Sequence, residues 1–224
     1  MTENFFNWRA VLSVDWGAID AFLASEYAAG ALCPPRKIDV FRSLFLIAPS
    51  DVRIVVVGQD PYPNAGDAHG LAFSVPYSLD SEHKALPKSL KQIYGVIESN
   101  GFKPDVSCGD LTRWVSKGVL LWNTFLTCKQ GESRSHAKIW SDFGISRALF
   151  EYLNTLEQGI IFLLWGADAK NLGKLITNTQ HTVLSAAHPG ARNPLALADA
   201  FQTCTHFRQA SDILQTEGIT FNWE

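Results

Sequence analysis

Four short apolar segments constrain the fold of this chain more than any other feature of its sequence. Each combines β-branched or large aliphatic residues and ends close to a residue that breaks or caps a strand; they are Val52–Val57, Val119–Trp122, Ile160–Trp165 and Thr182–Ala186. Apolar runs of this length are typical of strands that are buried on both faces. We therefore expect a sheet that is covered on both sides.

Segments with helical periodicity separate these strands. Apolar residues recur three and four positions apart in Asp15–Ala28, Leu86–Asn100, Asp142–Leu156, Ala167–Ile176 and Ala198–Gln215. Strands that alternate with helices indicate a parallel sheet flanked by helices on both faces. The prediction is an α/β fold with a central four-stranded parallel sheet. No repeat or linker interrupts it, so we expect a single domain over residues 1–224.

Charge and composition exclude several classes of protein. A net charge of -3 argues against coating nucleic acid by bulk positive charge, although a local basic patch remains compatible with it. The four cysteines lie far apart and lack the close pairs of zinc and iron–sulfur sites, so no metal and no cofactor are expected. Neither a membrane span nor a secretory signal is recognisable. We expect a cytoplasmic monomer with no membrane partner.

Polar side chains follow the predicted strands on one edge of the sheet. Parallel sheets bind ligands outside the carboxyl ends of their strands. Asp60 follows the first strand, Asn123 the second, Asp168 the third and His188 the fourth. An acid, an amide and an imidazole at one edge form a candidate site.

Common catalytic motifs do not explain these residues. The segment Gly166–Leu175 resembles a phosphate-binding loop, but its spacing is two residues too long and Leu175 stands where Ser or Thr would bind magnesium. The chain also lacks GxSxG, HExxH, GxGxxG and an EF-hand loop. Nucleoside triphosphate binding and a serine-hydrolase triad are therefore disfavoured.

Several specific motifs lie along the chain: Gly58-Gln59-Asp60-Pro61-Tyr62, residues 66–75 (GDAHGLAFSV), residues 120–127 (LLWNTFLT), Ser135-His136-Ala137 with Trp140, Trp165-Gly166 and His188-Pro189. Together they resemble the motifs of the main family of uracil-DNA glycosylases, and the early Pro34-Pro35 with Asp39-Val40-Phe41 also fits. They occur in the family's order over nearly the whole chain. The resemblance implies a DNA repair hydrolase that flips uracil out of DNA, hydrolyses its N-glycosidic bond and leaves an abasic site.

The chemistry of this reaction accounts for the two expected catalytic residues. Breaking the bond creates a sugar cation and a base anion. The resemblance implies that Asp60 stabilises the cation and orients water, as carboxylates do in sugar chemistry. It implies that His188 donates a hydrogen bond to uracil O2, where negative charge collects.

Four further residues are expected to bind the base. Asn123 offers an acceptor and two donors, which match the N3–H and O4 edge of uracil. Phe73 would stack on the flipped base. Tyr62 would exclude the 5-methyl group of thymine. Gln59 would donate its backbone N–H to the base or to a water molecule. His69 is expected to be structural, hydrogen-bonded within its own loop.

The remaining expected contacts are with the DNA strand. Resemblance implies that the loops around Ser89, Ser135 and His136 contact the backbone. The residue that would wedge into the emptied base stack is left open among Arg192, Leu195 and Leu197, with the leucines ranked above the arginine.

The chain departs from the family at three places. Pro63 stands where the family usually has His after the motif tyrosine, and Gly190 stands where it has Ser. The loop at residues 86–88 also has fewer prolines than the family's. These departures affect DNA binding more than chemistry, so we expect uracil in single strands to be cleaved better than uracil in duplexes.

Three alternatives remain open. The chain could bind uracil-DNA with weak turnover, act on an altered range of bases, or hydrolyse small molecules. The presence of Asp60 and His188 argues against a pure binding module, and Tyr62 with Asn123 argues for uracil. An assay for release of free uracil from DNA distinguishes uracil excision from these alternatives.

Overall fold

Short strands alternate with helices along the chain. The computed structural model describes residues 2–76, 85–192 and 196–224. Its strands are β1 (Leu32–Cys33), β2 (Ile54–Gly58), β3 (Val119–Asn123), β4 (Cys128–Lys129), β5 (Ile161–Trp165) and β6 (Thr182–Ala186). Its α-helices are α1 (Glu3–Val11), α2 (Trp16–Ala29), α3 (Arg42–Leu46), α4 (Lys88–Ser99), α5 (Thr112–Val115), α6 (Ala137–Phe143), α7 (Ile145–Leu153), α8 (Ala167–Gly173) and α9 (His206–Thr216).

The central sheet is parallel throughout and has the strand order β3-β2-β5-β6. Every residue of β2, β3 and β5 is buried, as expected of strands covered on both faces. The edge strand β6 is instead partly exposed along most of its length. The predicted α/β class, with four parallel strands flanked by helices, is confirmed.

The register of the sheet aligns the strand ends that carry the candidate site. Gly58 at the end of β2 lies beside Asn123 at the end of β3, and Trp165 at the end of β5 lies beside Ala186 in β6. The chain segments that follow all four strands therefore leave the sheet at one edge.

Several helix boundaries differ from the sequence predictions. The expected helix Asp142–Leu156 corresponds to α7, which begins only at Ile145, because Gly144 adopts a left-handed φ of 67° and separates it from the end of α6. The expected helix Ala198–Gln215 begins only at His206, after a 3-10 turn at Phe201–Thr203. Periodicity locates the buried face of these segments, but it does not detect a local break in the backbone.

Several short elements were not predicted at all. They include helix α1 near the N-terminus, helices α3 and α5, and strands β1 and β4, which pair antiparallel in a separate two-stranded sheet. A strand of two residues is too short to show an alternating pattern. This small sheet places Cys33 directly opposite Cys128.

One buried apolar cluster extends from Phe5 to Trp223. Six tryptophans are almost completely buried: Trp8, Trp114, Trp122, Trp140, Trp165 and Trp223. Because this cluster joins both ends of the chain, we propose that residues 1–224 form one domain. Within the described ranges, no helix combines the length and the apolar character needed to cross a membrane.

Candidate active site

A cavity of about 170 Å³ lies at the carboxyl ends of the parallel strands. All six residues expected to act on the sugar or the base line it: Gln59, Asp60, Tyr62, Phe73, Asn123 and His188. Ser89, expected to contact DNA, lines it too. Asp168 instead lines a neighbouring depression, which Gln59 and His188 also border.

The backbone beyond β2 holds Asp60 at the edge of this cavity. The Thr124 N–H donates to the Gly58 carbonyl over 2.9 Å, and the Phe125 N–H donates to the Gln59 carbonyl over 2.9 Å. These two bonds extend the pairing of β2 with β3 past the end of the sheet. Asp60 is thus fixed by a continuation of regular structure, which positions a side chain better than a free loop does.

Three donors surround the Asp60 carboxylate. Gln59 Nε2 donates to Oδ1 over 3.0 Å, while Ser133 Oγ and the Arg134 backbone N–H donate to Oδ2 over 2.8 and 2.5 Å. Arg134 adopts a left-handed φ of 65°, uncommon for a residue other than glycine. An ionised carboxylate has about four acceptor positions, so three are occupied by these groups.

The hydrogen bonding of His188 assigns its tautomer. The Gly190 N–H donates to His188 Nδ1 over 3.0 Å, so a neutral ring carries its proton on Nε2. Burial lowers the pKa of His188 below its ordinary value, although the charges of Asp60 and Asp168 oppose this shift. His188 therefore lines the cavity as a neutral imidazole with an N–H available for donation.

The amide of Asn123 presents an acceptor without a partner. Its side chain is 7% exposed, and among the described residues Oδ1 has no hydrogen-bond partner. Leaving a buried acceptor unpaired costs about 1–3 kcal/mol. A buried polar atom of this kind at a cavity wall marks a position where a ligand supplies the missing donor.

The absence of a side chain at Gly58 makes room for this amide. A Cβ at position 58 would overlap Asn123 Oδ1 and would lie 3.2 Å from the Cβ of Ala72. The glycine is therefore required by close approach to Asn123.

Phe73 forms an aromatic wall of the cavity. It has a left-handed φ of 63°, and its ring centroid lies 5.8 Å from that of His188 and 5.6 Å from that of Trp165. Such a conformation costs on the order of 1–3 kcal/mol and persists only where surrounding contacts enforce it. Tyr62 contributes one of these contacts, because its hydroxyl donates to the Phe73 carbonyl over 3.1 Å.

Tyr62 also connects the cavity to α4. Its hydroxyl lies 2.7 Å from Ser89 Oγ, in the first turn of that helix. Ser89 is 7% exposed, so it is accessible mainly from the cavity. The residue expected to contact DNA is thereby coupled to the residue expected to exclude thymine.

The other residues expected to bind DNA are distributed differently. Ser135 is exposed, and its Oγ accepts a hydrogen bond from the Lys129 N–H over 2.7 Å. Arg192 and Leu197 are exposed on the segment that follows His188. Leu195 lies outside the described residues.

His136 is buried within the loop that carries it. It is 5% exposed, its Nδ1 lies 2.8 Å from Thr127 Oγ1, and its ring packs edge-on against Phe22. Its Nε2 lies 3.2 Å from a Glu26 carboxylate oxygen, and burial lowers its pKa. Its side chain supports the loop from inside, and a contact between His136 and DNA stays a prediction from the sequence.

His69 has the structural environment expected of it. Its Nε2 lies 2.7 Å from Ser74 Oγ, five residues further along the same segment. Burial lowers its pKa to about 4. The ring is neutral at physiological pH and holds the turn together.

Two contributors to the site were missed as partners of Asp60. Ser133 and the backbone of Arg134 donate to its carboxylate, and the Arg134 guanidinium pairs with Asp168. Ser133 lies two residues before the Ser135-His136-Ala137 motif, but no periodicity or spacing in the sequence indicates that its hydroxyl reaches Asp60. Only the folded backbone brings residues 60 and 133 together.

Comparison with known proteins identifies sequences related to this chain. The family model described as the uracil DNA glycosylase superfamily matches residues 45–215. The uracil-DNA glycosylase of Blochmanniella floridana is 35% identical over 227 residues, with 97% of each chain covered. That of Ralstonia pickettii is 39% identical over 233 residues, covering 97% of this chain and 84% of the relative.

Solved structures with the same fold are more distant in sequence. The mimivirus uracil-DNA glycosylase has a TM-score of 0.81 at 24% identity, covering 98% of this chain and 84% of that one. The wild-type UNG structure from Nitratifractor salsuginis has a TM-score of 0.57 at 24% identity, with 87% of each chain covered. At these identities the structural likeness establishes the fold alone.

Proposed function

The chain belongs to the uracil-DNA glycosylase superfamily, and we propose that the cavity at its strand ends receives one extruded uracil and positions it for hydrolysis. The protein is a hydrolase that excises uracil from DNA in repair. The residue roles given below follow from the geometry of this cavity and are our proposal.

The base is read through its imide edge. Asn123 accepts from uracil N3–H through the unpaired Oδ1 and donates to O4 through Nδ2. Cytosine presents an acceptor at N3 and a donor at C4, so the same amide face is mismatched to it. A bidentate match of this kind is worth about 1–3 kcal/mol of discrimination.

Asp60 and His188 act on opposite charges of the reaction. The Asp60 carboxylate stabilises the positive charge that develops on the sugar and orients the attacking water. His188 donates its Nε2 proton as a hydrogen bond to uracil O2, where negative charge accumulates. A single donor of this type contributes about 3–4 kcal/mol in other enzymes.

Aromatic residues define the shape of the accepted base. Phe73 stacks on the ring, and Tyr62 occupies the space that the 5-methyl group of thymine would need. The Tyr62 ring excludes thymine by contact, and the bonds of its hydroxyl to Phe73 and Ser89 add to the stability of the ring's position.

The single observation that carries the proposal is that Asp60 and a neutral His188 share one cavity with an unpaired Asn123 amide oxygen. Each group is positioned for a different part of the same reaction. A uracil-DNA binding module would have no use for a carboxylate held by three donors beneath the sugar.

Contacts with the DNA strand are a further part of the proposal. Ser89 and Ser135 contact the backbone, and a residue of the segment after His188 fills the space that the base leaves. The exposed Arg192 and Leu197 are available for this role; Leu195 remains a prediction from sequence. We also propose that the protein acts as a cytoplasmic monomer and favours uracil in single strands.

Excision from matched single- and double-stranded oligonucleotides that carry U, T, C or hypoxanthine tests the proposal. We expect free uracil as the released base, faster release from single strands, and little or no release of the other bases. Asp60→Asn should abolish most turnover while DNA binding persists. Tight binding by the wild-type protein without uracil release would establish the binding module instead.

A further inference from the structure

We propose that Ser133 positions the attacking water in this reaction, together with Asp60. This inference rests on the proposed function of the cavity. Ser133 lines the cavity, is exposed to solvent, and donates from Oγ to Asp60 Oδ2 over 2.8 Å. Neither the sequence motifs nor the roles assigned above include it.

The occupancy of the Asp60 oxygens defines where the water binds. Oδ2 accepts from both Ser133 Oγ and the Arg134 N–H, and Oδ1 accepts from Gln59 Nε2. With about two acceptor positions on each oxygen, the remaining one is on Oδ1. A water molecule there donates one hydrogen to Asp60.

The Ser133 hydroxyl provides the second hydrogen-bond acceptor, or anchor, for the attacking water. Its proton is given to Asp60 Oδ2, which leaves its two lone pairs as acceptors. Gln59 Nε2 approaches one of them at 3.4 Å, at the long limit for a hydrogen bond. The other accepts the second hydrogen of the water. With both hydrogens engaged, a lone pair of the water oxygen is left free for the sugar carbon.

The loop that carries Ser133 is tied to the segment that carries Asp60. The Gly131 N–H donates to the Pro63 carbonyl over 2.8 Å, and the Arg134 guanidinium pairs with Asp168 beyond β5. Pro63 offers no side-chain donor of its own to the site. Ser133 therefore supplies a polar group at the cavity that Pro63 does not.

The step is balanced without any further reactant. The bond between sugar C1′ and uracil N1 breaks, and its electron pair stays on the base. The water oxygen bonds to C1′, and the proton that it loses passes to Asp60 Oδ1. The uracil anion later takes a proton from solvent. Ser133 keeps its own proton throughout, as the donor to Oδ2.

Nucleophile partitioning in Ser133→Ala and Ser133→Thr tests this role. Methanol has one hydroxyl hydrogen and cannot engage both anchors, so the wild-type protein should discriminate against it. In Ser133→Ala we expect kcat to fall about 10–100-fold with KM nearly unchanged, and the share of methyl glycoside formed in aqueous methanol to rise at least threefold. Ser133→Thr should restore both values.

Ser141→Ala is the matched control. Ser141 is also an exposed serine, but its Oγ donates to the Ala137 carbonyl within α6. This variant should match the wild type in rate and in partitioning. An unchanged partitioning in Ser133→Ala, with or without a lower kcat, overturns the proposal. If the wild-type protein releases no uracil, the proposed function fails instead.

Discussion

The backbone N–H of Gly190 donates to Nδ1 of His188 over 3.0 Å. This contact needs no side chain at position 190, so the replacement of the family's usual serine by glycine leaves it possible. It also fixes the proton of a neutral ring on Nε2. The tautomer required for donation to the base is thus set by the main chain.

The first prediction concerns the pH dependence of excision. Protonating His188 places a hydrogen on Nδ1 and breaks its bond with the Gly190 N–H. Burial lowers the pKa of His188 below 6.5, so the neutral form persists to lower pH than it does for a free imidazole. We expect the single-turnover rate on a uracil oligonucleotide to stay constant from pH 8 to pH 7 and to fall only below pH 6.5.

The variant His188→Ala provides the control for this assignment. Its rate should be lower by about 10²–10³-fold at neutral pH, as for other single donors to a developing anion. Between pH 7 and 5 the rate of this variant should lack the fall that protonation of His188 causes in the wild-type protein. A wild-type midpoint above pH 6.5 would contradict a neutral, buried imidazole.

The second prediction concerns Gly58→Ala. The added Cβ would overlap Asn123 Oδ1, so the amide must move away from the position where it meets the base. We expect uracil excision to fall about 5–150-fold, since misplacing a bidentate contact costs about 1–3 kcal/mol. Single-turnover kinetics on a single-stranded substrate measures this effect.

Gly95→Ala is the matched control for that variant. Gly95 lies within α4, and an added Cβ there would have no described atom within 4 Å apart from its chain neighbours and the backbone of its own helix. The substitution should leave excision unchanged and raise the free energy of unfolding by up to about 1 kcal/mol, because alanine favours a helix more than glycine does. Equal activity of the two variants would show that Asn123 tolerates a Cβ at position 58.

The fold was predictable where burial dictates the pattern. Strands β2, β3 and β5 are recognisable because every residue in them is covered. The break at Gly144 depends on one left-handed residue, and the pairing of β1 with β4 depends on contacts between distant segments. Neither leaves a periodic signal in the sequence.

The candidate site was predictable from the sequence where its residues lie at strand ends, and not where loop contacts place them. Asn123 ends β3, and Asp60 and His188 lie just beyond the ends of β2 and β6, so their proximity at one edge of the sheet follows from topology. Ser133 lies on a loop whose position depends on hydrogen bonds such as that from the Gly131 N–H to the Pro63 carbonyl. Burial of His136 follows from contacts with Phe22 and Thr127, which the motif around it does not reveal.

The third prediction separates the ring of Tyr62 from its hydroxyl. Tyr62→Phe keeps the ring but removes the bonds to Phe73 and Ser89. It should lower the free energy of unfolding by about 1 kcal/mol and still reject thymine. Tyr62→Ala should release thymine from a T-containing oligonucleotide. If Tyr62→Ala remains inactive on thymine while it excises uracil, the ring is not the excluding group.

The fourth prediction is a loss of stability in acid that arises from two buried histidines. Burial lowers the pKa values of His69 and His206 to about 4, and the ordinary value is 6.5. Below pH 6.5 these histidines therefore bind protons in the unfolded chain but not in the folded one, so the free energy of unfolding falls as pH drops towards 4. Each residue accounts for on the order of 3 kcal/mol across this range.

Urea denaturation between pH 7 and 4 measures how steeply the free energy of unfolding depends on pH. His206→Asn, which retains an acceptor for the Trp165 indole N–H, should make that slope shallower. An unchanged slope in this variant would assign the acid sensitivity to other groups.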